Sequence, residues 1–270
     1  MLATLLCSLA LQSQGQVAAP IVPPFQQFVV MAHRGDHTAA PENTLKAFRN
    51  AIKVGCDYVE IDLRTTSDGK LVIMHDRTVD RMTDGKGDVR KLTFAEIRKL
   101  KVMEKRHPEF GTERVPTFQE VLKLCRGKIN IYLDFKDADV RQTYEELKKA
   151  KMLRSFIVYC GGDEIRQWHE VDPTVPVIYD QPDDVKTAEA MNAWLDTKPG
   201  ISILDGPYTT HNKDMSSAAQ ARGVLVWPDI ENPGENPKQW ADALSRGVTG
   251  LLTDHPGRLI EYLKEIGKRK

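Results

Sequence analysis

Short β-rich runs alternate with helix-patterned stretches along this chain, and one connection is too short for that pattern. Only Arg64-Thr65-Thr66-Ser67-Asp68-Gly69-Lys70 separates Leu63 from Leu71. Strand candidates fall at 28–32, 57–63, 71–74, 129–135, 156–159, 175–179, 201–204, 224–227 and 250–253. Such alternation implies a parallel α/β fold, but nine runs are one more than a closed eight-stranded barrel accepts. Parallel neighbours need a crossover of about a dozen residues, whereas Asp68-Gly69 is a hairpin turn signal. The run 71–74 is therefore expected to return antiparallel beside the second strand. Eight strands remain, which gives an α/β class TIM (β/α)8 barrel with a β-hairpin after strand 2. If Asp68 and Gly69 are the turn, facing residues have numbers that sum to 137, so Asp62 opposes His75 and Glu60 lies one pleat further along.

Helix punctuation agrees with this reading. Thr93-x-x-Glu96 and Thr117-x-x-Glu120 have the form of capping boxes. Asn43 or Thr44 is placed to cap a helix running to Val54, with Gly55 stopping it. Residues 76–116 are rich in charge and Gly and form a short insertion above the barrel mouth.

Lys plus Arg number 38 and Asp plus Glu 38, without a basic stripe, which argues against a nucleic-acid partner. An anionic small molecule held by a local cluster remains compatible with zero net charge. Ahead of the barrel domain at 25–270, Leu2 to Leu11 is almost wholly apolar and a polar stretch with small residues follows. This reads as a signal peptide over 1–19, too short to span a bilayer, so an exported protein is expected, with no integral membrane segment in the mature chain. Cys56, Cys125 and Cys160 are widely spaced and form no CxxC pair, so they read as small buried hydrophobes with at most one bridge.

Four clusters carry chemistry. His33-Arg34 ends the first strand, on the face where TIM barrels place their active sites. Glu60-x-Asp62 puts two carboxylates on one face of the second strand. Val59, Ile61 and Leu63 argue that this strand is internal, where two acids side by side cost desolvation and repulsion unless a cation joins them. Hard oxygen ligands favour Mg²⁺ or Ca²⁺. His75-Asp76 closes the hairpin, with Asp76 in reach to orient His75. Asp134-x-Lys136 ends an apolar strand; a buried salt bridge is one account, and a third metal ligand beside a phosphate clamp is the other. Two histidines, three acids, an Arg and a Lys at one barrel mouth suit phosphoryl chemistry.

The ordered series His33-Arg34-Gly35, Pro41-Glu42-Asn43-Thr44, Glu60-Ile61-Asp62, Thr66-x-Asp68-Gly69, His75-Asp76, Asp80-Arg81-x-Thr83-Asp84-Gly85, Val115-Pro116-Thr117, Asp134-x-Lys136, Trp227 and Thr253-Asp254-x-Pro256 resembles the glycerophosphodiester phosphodiesterases. The resemblance runs from about residue 28 to 262. It implies His33 and His75 as general acid and base, and Glu60, Asp62 and Asp134 as ligands of a divalent ion. Arg34 and Lys136 would contact phosphate, Trp227 would wall the pocket, and Glu42 and Asn43 would support Arg34 and the metal shell from behind. It further implies attack on phosphorus by the neighbouring glycerol hydroxyl and a cyclic phosphate that water opens. Two departures stand out: the family more often has Glu at Asp134, and Pro228-Asp229-Ile230-Glu231 replaces its usual Thr-x-Asn after Trp227. The alternatives are a phospholipase D-like enzyme on lysolipids and a non-catalytic barrel that binds polyol phosphates. A long apolar loop at the mouth would favour the first and loss of the histidines or acids the second; the sequence has neither feature.

Overall fold

The short connection after strand 2 does close as a hairpin. In the computed structural model, which describes residues 28–270, the chain runs β1 (Val29–Ala32), α1 (Leu45–Val54), β2 (Tyr58–Thr65) and β3 (Leu71–Ile73). It continues through α2 (Phe94–Ile97), β4 (Lys101–Val102), β5 (Glu113–Arg114), α3 (Phe118–Cys125), β6 (Asn130–Phe135) and α4 (Val140–Lys149). β7 (Phe156–Tyr159), α5 (Gly162–Val171), β8 (Val177–Asp180), α6 (Ala188–Asp196), β9 (Ile201–Asp205) and α7 (Lys213–Ala221) follow. β10 (Leu225–Val226), α8 (Pro237–Ser245), β11 (Gly250–Thr253) and α9 (Pro256–Glu265) end it. The apolar run Leu2–Leu11 lies outside the described residues.

The parallel order β10-β9-β8-β7-β6-β2-β1-β11 uses every barrel strand read from the sequence, and β3 pairs antiparallel with β2. Thr249 N–H donates to Val226 O at 3.0 Å and Leu252 N–H to Pro228 O at 3.0 Å, so β10 meets β11 and the barrel closes. Odd residues of β2 (Val59, Ile61, Leu63) pack outward under the helices, and even ones face the lumen. The lumen is filled by Val29, Met31, Tyr58, Tyr132, Ile157, Ile178, Ile203, Trp227 and Leu252. This plug is a packed floor, and it leaves only the mouth open to solvent.

The hairpin register differs from the expected one by a single residue. Thr65 pairs with Leu71 and Leu63 with Ile73, so facing numbers sum to 136 and Asp62 opposes Met74. The cause is a three-residue loop, Ser67-Asp68-Gly69. Gly69 N–H donates to Thr66 O at 3.0 Å, and Gly69 holds φ +74°, a left-handed position that suits Gly. His75 consequently sits beyond the end of β3, not across from Asp62.

Local signals placed the helices well. Thr44 caps α1, Gly55 ends it at φ +87°, and both capping boxes form with their side chains and backbones engaged reciprocally. Such a cap contributes about 1 kcal/mol. Between β3 and α3 a small core of its own forms from Val72, Met74, Val79, Met82, Val89, Ile97, Val102 and Val115. This packing holds the segment that carries Asp76 and Arg81 against the barrel mouth. Cys56, Cys125 and Cys160 are buried and unbridged.

Candidate active site

The register between β2 and β6 builds the centre of the site. Asp62 pairs with Asp134 across adjacent parallel strands and Glu60 with Tyr132, all on lumen-facing positions. Ligand atoms of Glu60, Asp62 and Asp134 lie within 4.8 Å of one another, the one such group of three among the described residues. Asp62 Oδ1 is buried and accepts no hydrogen bond, and the Lys136 ammonium lies 3.3 Å from it. Burial first, then the Asp62 charge, holds Glu60 well above the usual carboxylate range. The same two causes, opposed by Lys136, push Asp134 up to about 6. Three converging hard oxygen donors, buried or half-buried side by side, fit a divalent cation.

Each neighbour has a definite task. After β1 the chain reverses through Arg34 at φ +52° and Gly35 at φ +83°. A Cβ on Gly35 would come within 2.8 Å of Ala47, so the turn packs against α1 only with Gly there. The turn aims Arg34 N–H at Glu60 Oε2, 2.6 Å away. Arg34 Nη1 pairs with Glu42 at 3.2 Å, and Glu42 also accepts from Arg81 at 2.7 Å. Asn43 Nδ2 donates to Asp62 Oδ2 at 2.6 Å. Lys136 pairs with Asp134 and lies 3.3 Å from Asp62. Glu42 and Asn43 thus stand behind Arg34 and Asp62, as the resemblance implied.

The histidines occupy different surroundings. His75 Nδ1 meets Asp76 Oδ1 at 2.8 Å, and Asp76 is pinned in turn by Arg81. His33 stands between two carboxylates, Asp254 at 2.8 Å on Nδ1 and Glu231 at 3.0 Å on Nε2. Burial alone would discharge it; the bonds to Asp254 and Glu231 outweigh burial and push its pKa up to about 10. Asp254 is itself held by Glu235, which accepts from the Asp254 N–H at 2.8 Å and from Thr253 Oγ1 and Trp240 Nε1.

His33, Arg34, Glu60, His75, Asp134 and Lys136 line one cavity of about 280 Å³. A larger groove of about 650 Å³ lies between α1, α9 and the insertion, lined by His37, Glu42 and Asp254 among others, and shares no lining residue with the smaller cavity. The chemistry belongs to the smaller cavity, because Glu60 and Asp134 of the acid triad line that one. Trp227 departs from the expectation that it walls the pocket. It is 1% exposed, packs on Tyr58 and Gly250, and donates its indole N–H to Thr249 Oγ1 at 3.1 Å. One residue past β10, and in alternation with the inward-facing Leu225, it is part of the floor. The wall is formed instead by Asp229, from the stretch that departs from the family after Trp227, and by Tyr159, Asp180 and Asp205, which the sequence clusters omit. Each lies at the C-terminal end of a barrel strand or just past it, the signal that would have found them.

The chain matches the Glycerophosphoryl diester phosphodiesterase family over residues 33–258. It is 40% identical over 259 residues to the glycerophosphodiester phosphodiesterase of Caldanaerobacter subterraneus subsp. tengcongensis, covering 88% of this chain and 99% of that one. The crystal structure of glycerophosphodiester phosphodiesterase from Agrobacterium tumefaciens superposes with a TM-score of 0.72 at 25% identity, over 85% of this chain and 97% of the other. An Oleispira antarctica phosphodiesterase in complex with the product sn-glycerol-3-phosphate superposes with a TM-score of 0.75 at 22% identity, over 87% and 96% of the two chains. With its barrel, its acid triad and its paired histidines, this chain belongs to the glycerophosphoryl diester phosphodiesterase family of phosphoric diester hydrolases.

Proposed function

We propose that this chain hydrolyses small glycerophosphodiesters to glycerol 3-phosphate and an alcohol, with His33 and His75 carrying the protons and a divalent ion, Ca²⁺ or Mg²⁺, held by Glu60, Asp62 and Asp134. The observation that carries this reading is the convergence of Glu60, Asp134, both histidines, Arg34 and Lys136 on one cavity, with Asp62 completing the triad behind its wall. At about 280 Å³ it lies at the small end of ligand sites, roughly 300–1,000 Å³, which favours a soluble diester over a lysolipid. The bound ion would offset negative charge that develops on the phosphoryl oxygens.

The remaining steps belong to the chain's own groups. Arg34 and Lys136 hold the phosphate against the triad. His75, oriented through Nδ1 by Asp76, takes the proton of the glycerol hydroxyl next to the phosphoester carbon. That oxygen attacks phosphorus; its tethering gives it a large effective-concentration advantage over water. The bond from phosphorus to the alcohol oxygen breaks, and protonated His33 donates to the departing oxygen, which takes the place Glu231 occupies at Nε2. Water then opens the five-membered cyclic phosphate, with the two histidines exchanging roles.

The test is a series of glycerophosphodiesters assayed after chelation and again with Ca²⁺ or Mg²⁺ restored, together with an analogue that lacks only the attacking hydroxyl. Activity that survives excess chelator refutes the metal, and cleavage of the deoxy analogue at a comparable rate refutes the cyclic route. We also infer export, from the apolar run Leu2–Leu11. Recovery of the protein outside the cytoplasm with an N-terminus between about residues 16 and 20 would support it, and an intact Met1 there would overturn it.

A further inference from the structure

The wall of the cavity opposite the acid triad has a composition that phosphate binding does not require. Asp180 and Asp205 are paired residues at the ends of β8 and β9, and Asp229 bridges beside Pro207 just past β10. All three line the cavity with Tyr132 and Tyr159. None of the three forms an ion pair among the described residues; their hydrogen-bonding neighbours are phenols, Tyr159 to Asp180 at 2.7 Å and Tyr132 to Asp205. Asp205 is 4% exposed, and its Oδ1 is buried with no hydrogen-bond partner. A buried carboxylate oxygen left unserved is costly, and its partner is expected to come with the ligand. These acids do not form a second metal cage, because among the described residues only Glu60, Asp62 and Asp134 bring ligand atoms within 4.8 Å of one another.

We propose that this acidic wall selects a diester whose alcohol half carries a primary ammonium, an ethanolamine-like group. Three requirements point to it. The charge must be positive, to answer carboxylates that have no basic partner. The group must also donate an N–H, because Asp205 Oδ1 lacks a donor, and a trimethylated ammonium has none. Finally, the group must be short, because phosphate and ammonium share a cavity of about 280 Å³. With phosphate on Arg34 and Lys136, the ammonium crosses the mouth and lies between Asp180, Asp205 and Asp229. Burial pushes Asp229 up to about 6, with Glu231 and Asp180 adding to the shift and His33 opposing it, and burial likewise holds Asp205 well above the usual carboxylate range, as expected of acids placed together without a basic partner.

This inference rests on the diester hydrolase reading, and the experiment separates the two. The metal-supplied enzyme is assayed on glycerophosphoethanolamine, glycerophosphocholine and glycerophosphoglycerol. The ethanolamine diester should have a kcat/KM roughly ten- to hundredfold above both others, the size of one charge-assisted hydrogen bond, mostly through KM. Asp205→Asn should bring the ratio close to one, and a ratio is unaffected by partial loss of folded enzyme. Asp180→Asn, at an exposed strand end, should lower the same ratio if Asp205→Asn does not fold. A choline or glycerol diester turned over within about threefold of the ethanolamine diester overturns the proposal, as does a ratio that neither variant moves. Failure to hydrolyse any of the three with metal present refutes the hydrolase reading itself, whereas hydrolysis without preference refutes only the acidic-wall assignment.

Discussion

The two halves of the barrel mouth are both lined by carboxylates at strand ends, yet their surroundings set them apart. On the β1–β2–β6 side, Glu60, Asp62 and Asp134 lie within reach of one ion and are faced by Arg34, Lys136 and His33. On the β8–β9 side, Asp180 and Asp205 are paired across the sheet as Asp62 and Asp134 are, but neither forms an ion pair among the described residues. Strand register sets the spacing in both places; the difference lies in what the loops deliver. The turn after β1 and the alternation Asp134-x-Lys136 bring cations to the first half, whereas the loop after β9 brings Gly206 and Pro207 to the cavity. Carboxylate position alone therefore does not make a metal site, because an ion also needs donors that converge.

The largest expected loss tests that convergence directly. Asp62→Asn removes a charged ligand and should weaken divalent-ion affinity by more than the roughly 10–100-fold that loss of an outer partner costs. Calorimetric titration with Ca²⁺ or Mg²⁺ checks it, and unchanged affinity would mean that the two halves do not differ as described. Replacing His33 or His75 by Ala should lower the rate by roughly 10²–10⁴ while the fold persists, because both side chains lie at the mouth above the packed floor. A folded variant near wild-type activity would remove that histidine from the mechanism.

The pH dependence sharpens the comparison. Asp134 is held up to about 6 in the absence of an ion, so below that value its proton competes with the cation. The rise in melting temperature caused by added divalent ion should be full at pH 8 and should fade as pH drops through about 6. Equal shifts at pH 8 and pH 5 would contradict the assignment. His33 works in the opposite direction: its folded pKa is raised above the unfolded value. The stability its charge contributes is therefore complete below about 6.5 and is lost as pH rises through about 10. The smallest effect is expected from Asp134→Glu, which lengthens one ligand by a methylene that the partly exposed site can absorb. Its activity should stay within about tenfold of wild type, and a larger loss would show that the strand pairing of Asp62 with Asp134 tolerates no extra reach.

Much of this site was legible in the residues themselves. His33, Arg34, Glu60, His75, Asp134 and Lys136 line a single cavity, with Asp62 in the triad beside it. Most could be picked out because they sit at the end of an apolar run, where a barrel opens, and Glu60 because it alternates with Asp62 inside an otherwise apolar strand. Glu231 and Asp254 were harder to see as partners of His33, because they lie about 200 residues away along the chain and nothing local marks a carboxylate that will hold a histidine. Trp227 misled for the opposite reason. A large aromatic at a strand end suggests a pocket wall, but its place in the inward alternation drops it to the barrel floor.

The sequence by itself determined the alternation of strands and helices, the hairpin that removes the surplus strand, the helix caps, and which residue types reach the mouth. These follow from periods of two and 3.6 residues, turn chemistry and capping, all interactions between near neighbours in the chain. Tertiary structure alone decided the pairing of Asp62 with Asp134, the bracketing of His33, the one-residue register of the hairpin, and the gathering of Asp180, Asp205 and Asp229 on one wall without a basic partner among the described residues. Each depends on which strands lie side by side and at what height, and that is set when the whole barrel closes over its lumen, not by any segment within it.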